Sequence, residues 1–374
     1  MSKPVTKKNS QKRIGWRRQR GHRQIGLGLF VLSCLVFLIL WGKSLNFIKD
    51  LGKPHAPDSY SFAQSVSRWD GTRTINLVIK SKGVSVLSYN PATSSVTILD
   101  VPDETYLNLP FNFGRWPTRS VYDLGQVEKP PIGAKLLEET IASVFGISID
   151  GYLIFSGKSA EVPASELIEG IRHNPFSGIG LLTGSKTDLD TMELTRLWWG
   201  LKGIRSDKVK TIDLEQSPIT ESALLGDGSR ALGIDQLKLD QIIQDRFTDT
   251  KLRDEGSTIG IFNATDYPGL AEKAARIVTN MGGRVIFTSN NRVPFQKTVI
   301  LGKPSYTTFR LGEIFGTNCS TGSGLAKILS PVGLADKEEI CTQYQPERDF
   351  SRADVTVILG ADYFLRYSDL HRSQ

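Results

Sequence analysis

Asp103 and Glu104 lie within the run VTILDVPDETYLNL (96–109), where a strand-like stretch gives way to a loop. Paired carboxylates at the mouth of a strand can work as general acid and base, or hold a hard divalent cation. The competing reading is a solvated turn at a strand end. A little further on, FNFGRWPTRSVYDLG (111–125) offers Arg115, Trp116, Arg119 and Tyr122, two cations and two aromatics. Stacking and guanidinium–phosphate pairing suit glycans or phosphate-bearing polymers, so these four are candidate ligand-binding residues. An ordinary packed loop is the alternative. The four histidines, at 22, 55, 173 and 371, are scattered, so no His-based triad or zinc site is expected.

The charge distribution limits the partners. The 374-residue chain carries a formal +7, but residues 1–24 hold nine Lys and Arg and no acid, which leaves −2 for the remainder. The basicity is one short tail, too short and too polar to fold into a reading domain, so no nucleic-acid partner is expected. The tail abuts IGLGLFVLSCLVFLILWG (25–42), an uncharged run ending near Trp41. That length is close to the lower limit for spanning a bilayer, and an interfacial Trp fits its end. A cleavable signal peptide is the rival, but its apolar core is usually about 7–15 residues and ends in an A-x-A-like site. Here WGKSLNFIKD follows instead. The reading is an uncleaved, single-pass signal anchor with the N-terminus cytoplasmic and everything after residue 42 extracytoplasmic.

The elements that must position the candidate residues follow from periodicity. Residues 43–71 read as a stalk. RTINLVIKS (73–81), VSVLSYNP (84–91) and SSVTILDVP (94–102) read as an antiparallel meander with a NPATSS turn. GAKLLEETIASVFG (133–146) and LDTMELTRLWWGLKGI (189–204) are amphipathic helices, with strands at 147–156 and 209–214. Residues 215–255 form a helical connector, with Asp235 as N-cap of a helix through Phe247. In 256–365, STIGIFNAT, a helix with Pro268 in its first turn and Gly282–Gly283 at its end, and GRVIFTSNN make a βαβ unit with parallel strands. KTVILG (297–302), a helix at 306–316 and ADVTVILG (353–360) complete it. The fold class is therefore α/β: a transmembrane helix (25–42), an α/β domain with a largely antiparallel mixed sheet (72–214), and a smaller C-terminal α/β domain containing a βαβ unit.

Of three cysteines, Cys34 falls in the apolar run. Cys319 and Cys341 fall outside it, where oxidation is possible. They are a disulfide candidate, against two unrelated buried thiols. Asn263-Ala-Thr265 and Asn318-Cys-Ser320 are sequons that matter only in a glycosylating host.

IFNATDYPGLAEKAARIVTNMGGRVIF, closing with ADVTVILGADY, resembles the C-terminal domain attached to LytR-CpsA-Psr family proteins. Asn263, Thr265, Gly269, Leu270 and Ala271 match its first part, and Asp354, Val355, Gly360 and Asp362 its last. The first domain resembles, more weakly, the family's catalytic domain: Asn90, Pro91, Thr93, Val96, Pro102, Thr105 and Tyr106 match its N-P-x-T and P-R-D-T-Y passages, and Arg119, Tyr122 and Gly125 match the loop that follows. The resemblance implies a bacterial envelope protein whose relatives transfer a lipid-pyrophosphate-linked polymer to peptidoglycan, using arginines for the pyrophosphate and acids for a divalent ion. Asn263, Thr265 and Gly269 would form the turn of the C-terminal module.

The departures from that pattern weigh against transfer. Asp103 stands where the family has Arg, and a carboxylate cannot give the bidentate donors a phosphate takes. SKGVSVLS (81–88) carries no acid where the family is Asp-rich, and residues 157–190 lack its Arg-rich stretch. The first expectation is thus a non-catalytic envelope protein that binds a cell-wall polymer or another envelope protein, with no cofactor. The second is a residual phosphotransferase, in which Arg115, Arg119 or Arg172 would hold the pyrophosphate and Asp103, Glu104 or Asp123 a Mg ion. The third is a membrane-tethered transcriptional regulator using the basic tail.

Overall fold

β1 (Ile75–Lys80), β2 (Val84–Asn90) and β3 (Ser95–Val101) form an antiparallel meander in the computed structural model, which describes residues 69–174, 185–215, 219–224, 230–316 and 352–368. All of these belong to the second of two units into which the chain divides, Pro54–Gln374. The β2–β3 turn is set by Asn90, whose Oδ1 accepts from the backbone N–H of Ala92 and Thr93, as an Asx turn does. A short hairpin follows, β4 (Tyr106–Leu109) with β5 (Gly114–Pro117), then α1 (Thr118–Gln126), α2 (Gly133–Phe145), β6 (Gly151–Phe155), α3 (Ala164–His173), β7 (Ser185–Lys186), α4 (Thr191–Lys202) and β8 (Val209–Asp213). The main sheet has the order β7-β6-β1-β2-β3-β8. β6 lies parallel to β1 and β8 parallel to β3, while the other junctions are antiparallel, so the sheet is mixed.

The sheet strands read as nearly continuous apolar runs because both faces are covered. Val78, Val84, Val86, Leu99 and Val101 face a core with α2. Their neighbours Ile75, Leu77, Ile79, Leu87 and Ile98 point the other way, into a core built with α3 and α4. Thus two helical layers sandwich the sheet. α4 is fixed by a reciprocal capping box: Asp190 accepts from the Glu193 N–H and Glu193 from that of Asp190.

Between the two α/β regions the chain forms a hairpin, β9 (Thr220–Leu224) with β10 (Arg230–Ile234), and two helices, α5 (Gln236–Arg246) and α6 (Thr250–Glu255). The expected helical connector therefore also contains strands. Asp235 caps α5 as expected, accepting from Leu237 and Lys238 N–H. Leu239, Ile243 and Phe247 then join the first core.

The C-terminal region comprises β11 (Thr258–Asn263), α7 (Leu270–Asn280), β12 (Arg284–Asn290), β13 (Val299–Gly302), α8 (Tyr306–Phe315), β14 (Val355–Leu359) and α9 (Ala361–Ser368), with sheet order β12-β11-β14-β13. β11 and β12 are parallel, as the βαβ pattern requires, and β14 runs parallel to β11. α7 starts at Leu270 rather than at Pro268, because Gly269 takes φ +76° as its N-cap, a conformation outside the helix. Among the described residues no helix is long and apolar enough to cross a membrane. The run 25–42 and the three cysteines lie outside the described residues.

Candidate functional site

Asp103 and Glu104 sit in a turn closed by the Thr105 N–H donating to Pro102 O. Thr118 staples this turn to α1, donating from both its N–H (2.8 Å) and its Oγ1 (2.9 Å) to Thr105 O, and the Arg119 N–H donates to Asp103 O. Both acids thus lie beside the start of α1, where negative charge is favoured by the helix dipole. Glu104 forms an ion pair with Arg119, the two side chains 55% and 52% exposed. A pair that open to water contributes little to stability. Of the two carboxylates, that of Glu104 is answered by an arginine of the next element.

The four ligand-binding candidates are on a hairpin and a helix rather than in a loop. Arg115 pairs in register with Asn108, and Trp116 with Leu107, so the two alternate across the faces of the hairpin. Arg115 is exposed. Trp116 is 41% exposed, and its Nε1 donates to Phe113 O at 2.7 Å. Tyr122 is half-buried against the first core. Arg172 stands apart on α3, pairing with Glu169 and donating to Ile204 O and Ser206 Oγ. The three arginines suggested for a pyrophosphate therefore occupy β5, α1 and α3, and two of them are already matched to acids.

In the C-terminal region Asn263 is buried. Its Nδ2 donates to Tyr267 O, while its Oδ1 accepts from Thr265 N–H and Oγ1. Asn263, Thr265 and Gly269 together shape the passage from β11 into α7. Beside it, Tyr267 stacks on Phe364 at 4.6 Å between centroids.

A cluster that sequence reasoning missed joins the two α/β regions. Arg310, in α8, has a side chain only 1% exposed. It reaches Asp150 at 3.1 Å, Glu313 at 2.8 Å and Asp249 at 3.5 Å. Arg73, just before β1, pairs with the same Asp150 (2.8 Å) and Glu313 (3.1 Å). Burial alone would raise the Asp150 carboxyl; Arg310, Arg73 and the Asn76 N–H outweigh it and hold the group below its ordinary value. Arg310 is likewise held charged by its acids against burial. Tyr306 donates to Asp249 at 2.6 Å, and burial with that bond pushes its phenol up. A cleft of about 170 Å³ opens over this cluster, lined in part by Arg73, Lys251, Tyr306 and Phe309. The signal was in the sequence: Thr307, Arg310, Leu311 and Ile314 share one helical face, so a charge sits on the apolar stripe.

A second junction uses Arg276 of α7. It makes a forked pair with Asp240 of α5 and donates to Ser143 O (3.1 Å) and Val144 O (2.9 Å) at the end of α2. A cation thereby caps carbonyls that a helix C-terminus leaves unpaired. Gly146, at φ +61°, permits this approach, since a Cβ there would fall 2.8 Å from Arg276 Cζ.

One acidic pair is unusual. Burial, then the charge of Asp188, raises Glu138 of α2 well above its ordinary value. Asp188, before α4, is pushed up to about 6, chiefly by burial. Among the described residues no group of three or more His, Cys, Asp or Glu is arranged to hold a metal ion.

No family model and no curated protein matches the chain. Among solved structures, B. subtilis TagT is similar at a TM-score of 0.35 and 12% identity, over 52% of this chain and 96% of that one. A LytR-CPS2A-psr family protein, YwtF (TagT) with bound octaprenyl pyrophosphate lipid, gives 0.34 and 12%, over 50% and 96%. B. subtilis TagV gives 0.34 and 12%, over 48% and 98%. Likeness at this level carries no argument about the present chain, whose functional reading rests on its own residues.

Proposed function

We propose that this chain is a membrane-anchored, extracytoplasmic envelope protein related to the LytR-CpsA-Psr polymer ligases, and that it binds a cell-wall polymer without transferring it. The reading is supported first by the motifs quoted above and by the apolar run at 25–42. The observation that carries the non-catalytic part is that Arg119 and Arg172 are already paired to Glu104 and Glu169. Transfer of a pyrophosphate-linked group needs several cations aimed at one point, where charge develops. Binding asks less. Arg115 on one face of the hairpin presents a cation suited to an anionic glycan, and Trp116 on the other face a part-exposed indole suited to stacking.

The test is retention of the full chain on purified wall-polymer fractions, with Arg115→Ala and Trp116→Ala beside it. Both changes lie on an exposed hairpin, and loss of retention with unchanged thermal unfolding is the expected result. Retention unchanged in both variants would remove the hairpin from the account. Retention of neither wild type nor variant would sink the polymer reading in favour of a protein partner.

A further inference from the structure

We infer that the exposed face of α4 is a bilayer-docking surface that lays the first domain against an anionic membrane. Leu194, Leu197 and Leu201 turn one face of this helix into the core. The other face carries Met192, 42% exposed, and two turns later Trp199, 68% exposed. Seven residues apart, they lie on the same side of the helix. Trp199 meets Trp198 edge-on at 6.0 Å between centroids, and the Lys202 ammonium sits 5.7 Å from both ring centroids. A large apolar ring left in water beside a long cationic side chain is the composition of an interfacial helix: the ring enters the headgroup region and the ammonium meets lipid phosphate. The charge is consistent. From Met192 to Lys208 the exposed side chains include Arg196, Lys202, Arg205 and Lys208 against one exposed acid, Asp207, which Arg205 already answers.

The anionic bilayer matches the charge of this face and lies near where the chain enters the described fold. Trp69, the first described residue, is held on α4 itself: its N–H donates to Glu193 Oε1 at 2.6 Å, and its carbonyl accepts from Arg196 Nη1 at 2.9 Å. Residues 43–68 join this point to the apolar run. Fully extended, a stretch of that length spans at most about 90 Å, so a bilayer holding the apolar run stays within reach of the domain and its effective concentration is high. Each positive residue near an anionic surface strengthens such an encounter. This inference rests on the proposed anchor, so its test must separate the two.

The full chain is reconstituted one copy per nanodisc, in phosphatidylcholine with or without phosphatidylglycerol, using brominated acyl chains. Retention of the chain by carbonate-washed membranes reports the anchor. Quenching of tryptophan emission by the bromolipid, measured in wild type and in Trp199→Phe, reports docking. The expected result is a bromolipid-quenched component in phosphatidylglycerol discs that disappears in Trp199→Phe, shrinks at high salt, and is lost in Lys202→Glu/Lys208→Glu, which keeps both indoles. An anchored chain whose Trp199 emission is open to aqueous iodide and untouched by bromolipid overturns the inference while leaving the anchor standing. Shielding from iodide that appears only with more than one chain per disc also overturns it, and assigns the face to a second copy. A chain that carbonate strips from the membrane refutes the anchor, and with it this inference.

Discussion

Replacing Arg310 by Met tests whether the two α/β regions are held together by buried charge. The wild-type cluster sets Arg73 and Arg310 against Asp150, Asp249 and Glu313, a net −1. Arg310→Met keeps most of the side-chain volume but takes the cluster to −2, with Asp249 left without its arginine. Removing one partner of a buried pair costs about 3–5 kcal/mol, because a desolvated charge is left unmatched. At roughly 2 °C per kcal/mol for a large domain, Tm should fall by roughly 6 °C or more. The pH dependence carries a further signature. In wild type the Asp150 pKa is depressed, so its contribution is present above the ordinary carboxylate range and is lost as pH falls through the folded value. In the variant Asp150 loses Arg310, the largest influence holding its carboxyl down, so the deficit relative to wild type should be largest near neutral pH and narrow as pH falls. The assay is urea unfolding followed by intrinsic fluorescence at several pH values, with Asp150→Asn and the double variant closing a cycle. A variant within 1 kcal/mol of wild type, or a deficit that grows towards acid pH, would refute the reasoning.

Arg276→Ala should cost about 2–3 kcal/mol in the same assay, since it removes charged hydrogen bonds to Asp240 and to the end of α2. By contrast Glu104→Gln should change stability by less than about 1 kcal/mol, the pair with Arg119 being half in water; a larger loss would mean that the Pro102–Thr105 turn depends on that charge. Asp188, with its folded pKa near 6, binds its proton more tightly in the folded state than in the unfolded one. Its contribution is therefore complete below its unfolded value and is lost as pH rises towards 6, so Asp188→Asn should flatten a decline in Tm measured between pH 4 and 6.

The meander, α2, α4, α5 and the βαβ unit were legible because their apolar residues repeat with the period of the element and end at recognisable caps such as Asp235 and Gly146. The hairpin β4–β5 and helix α1 were not, because the Arg115–Tyr122 stretch mixes aromatics, arginines and a proline without a clean period. α3 was missed for a similar reason: Glu166, Glu169, Arg172 and His173 dominate a helix whose buried set is only Ala164, Ile168 and Ile171. At the site, sequence named Glu104 and Arg119 without their pairing, and did not name the Arg73–Asp150–Arg310 cluster at all. The Glu104–Arg119 match crosses a hairpin, and the Arg73–Asp150–Arg310 cluster draws on residues up to 237 positions apart, from Arg73 to Arg310. Such contacts depend on how helices dock, which no local pattern records. What sequence could have flagged was Arg310 itself, a charge on an apolar helical face.

The most direct test of the central claim is a transfer assay. The full chain, in bilayers with magnesium, is given a wall polymer carried on lipid pyrophosphate together with purified peptidoglycan. The polymer retained by the protein and the polymer covalently attached to the peptidoglycan are then counted separately. The account expects retention that depends on Arg115 and no covalent product above the protein-free control. Covalent product that tracks the amount of protein and is lost in Arg115→Ala or Arg119→Ala would contradict it, and would make these arginines a working phosphotransfer site.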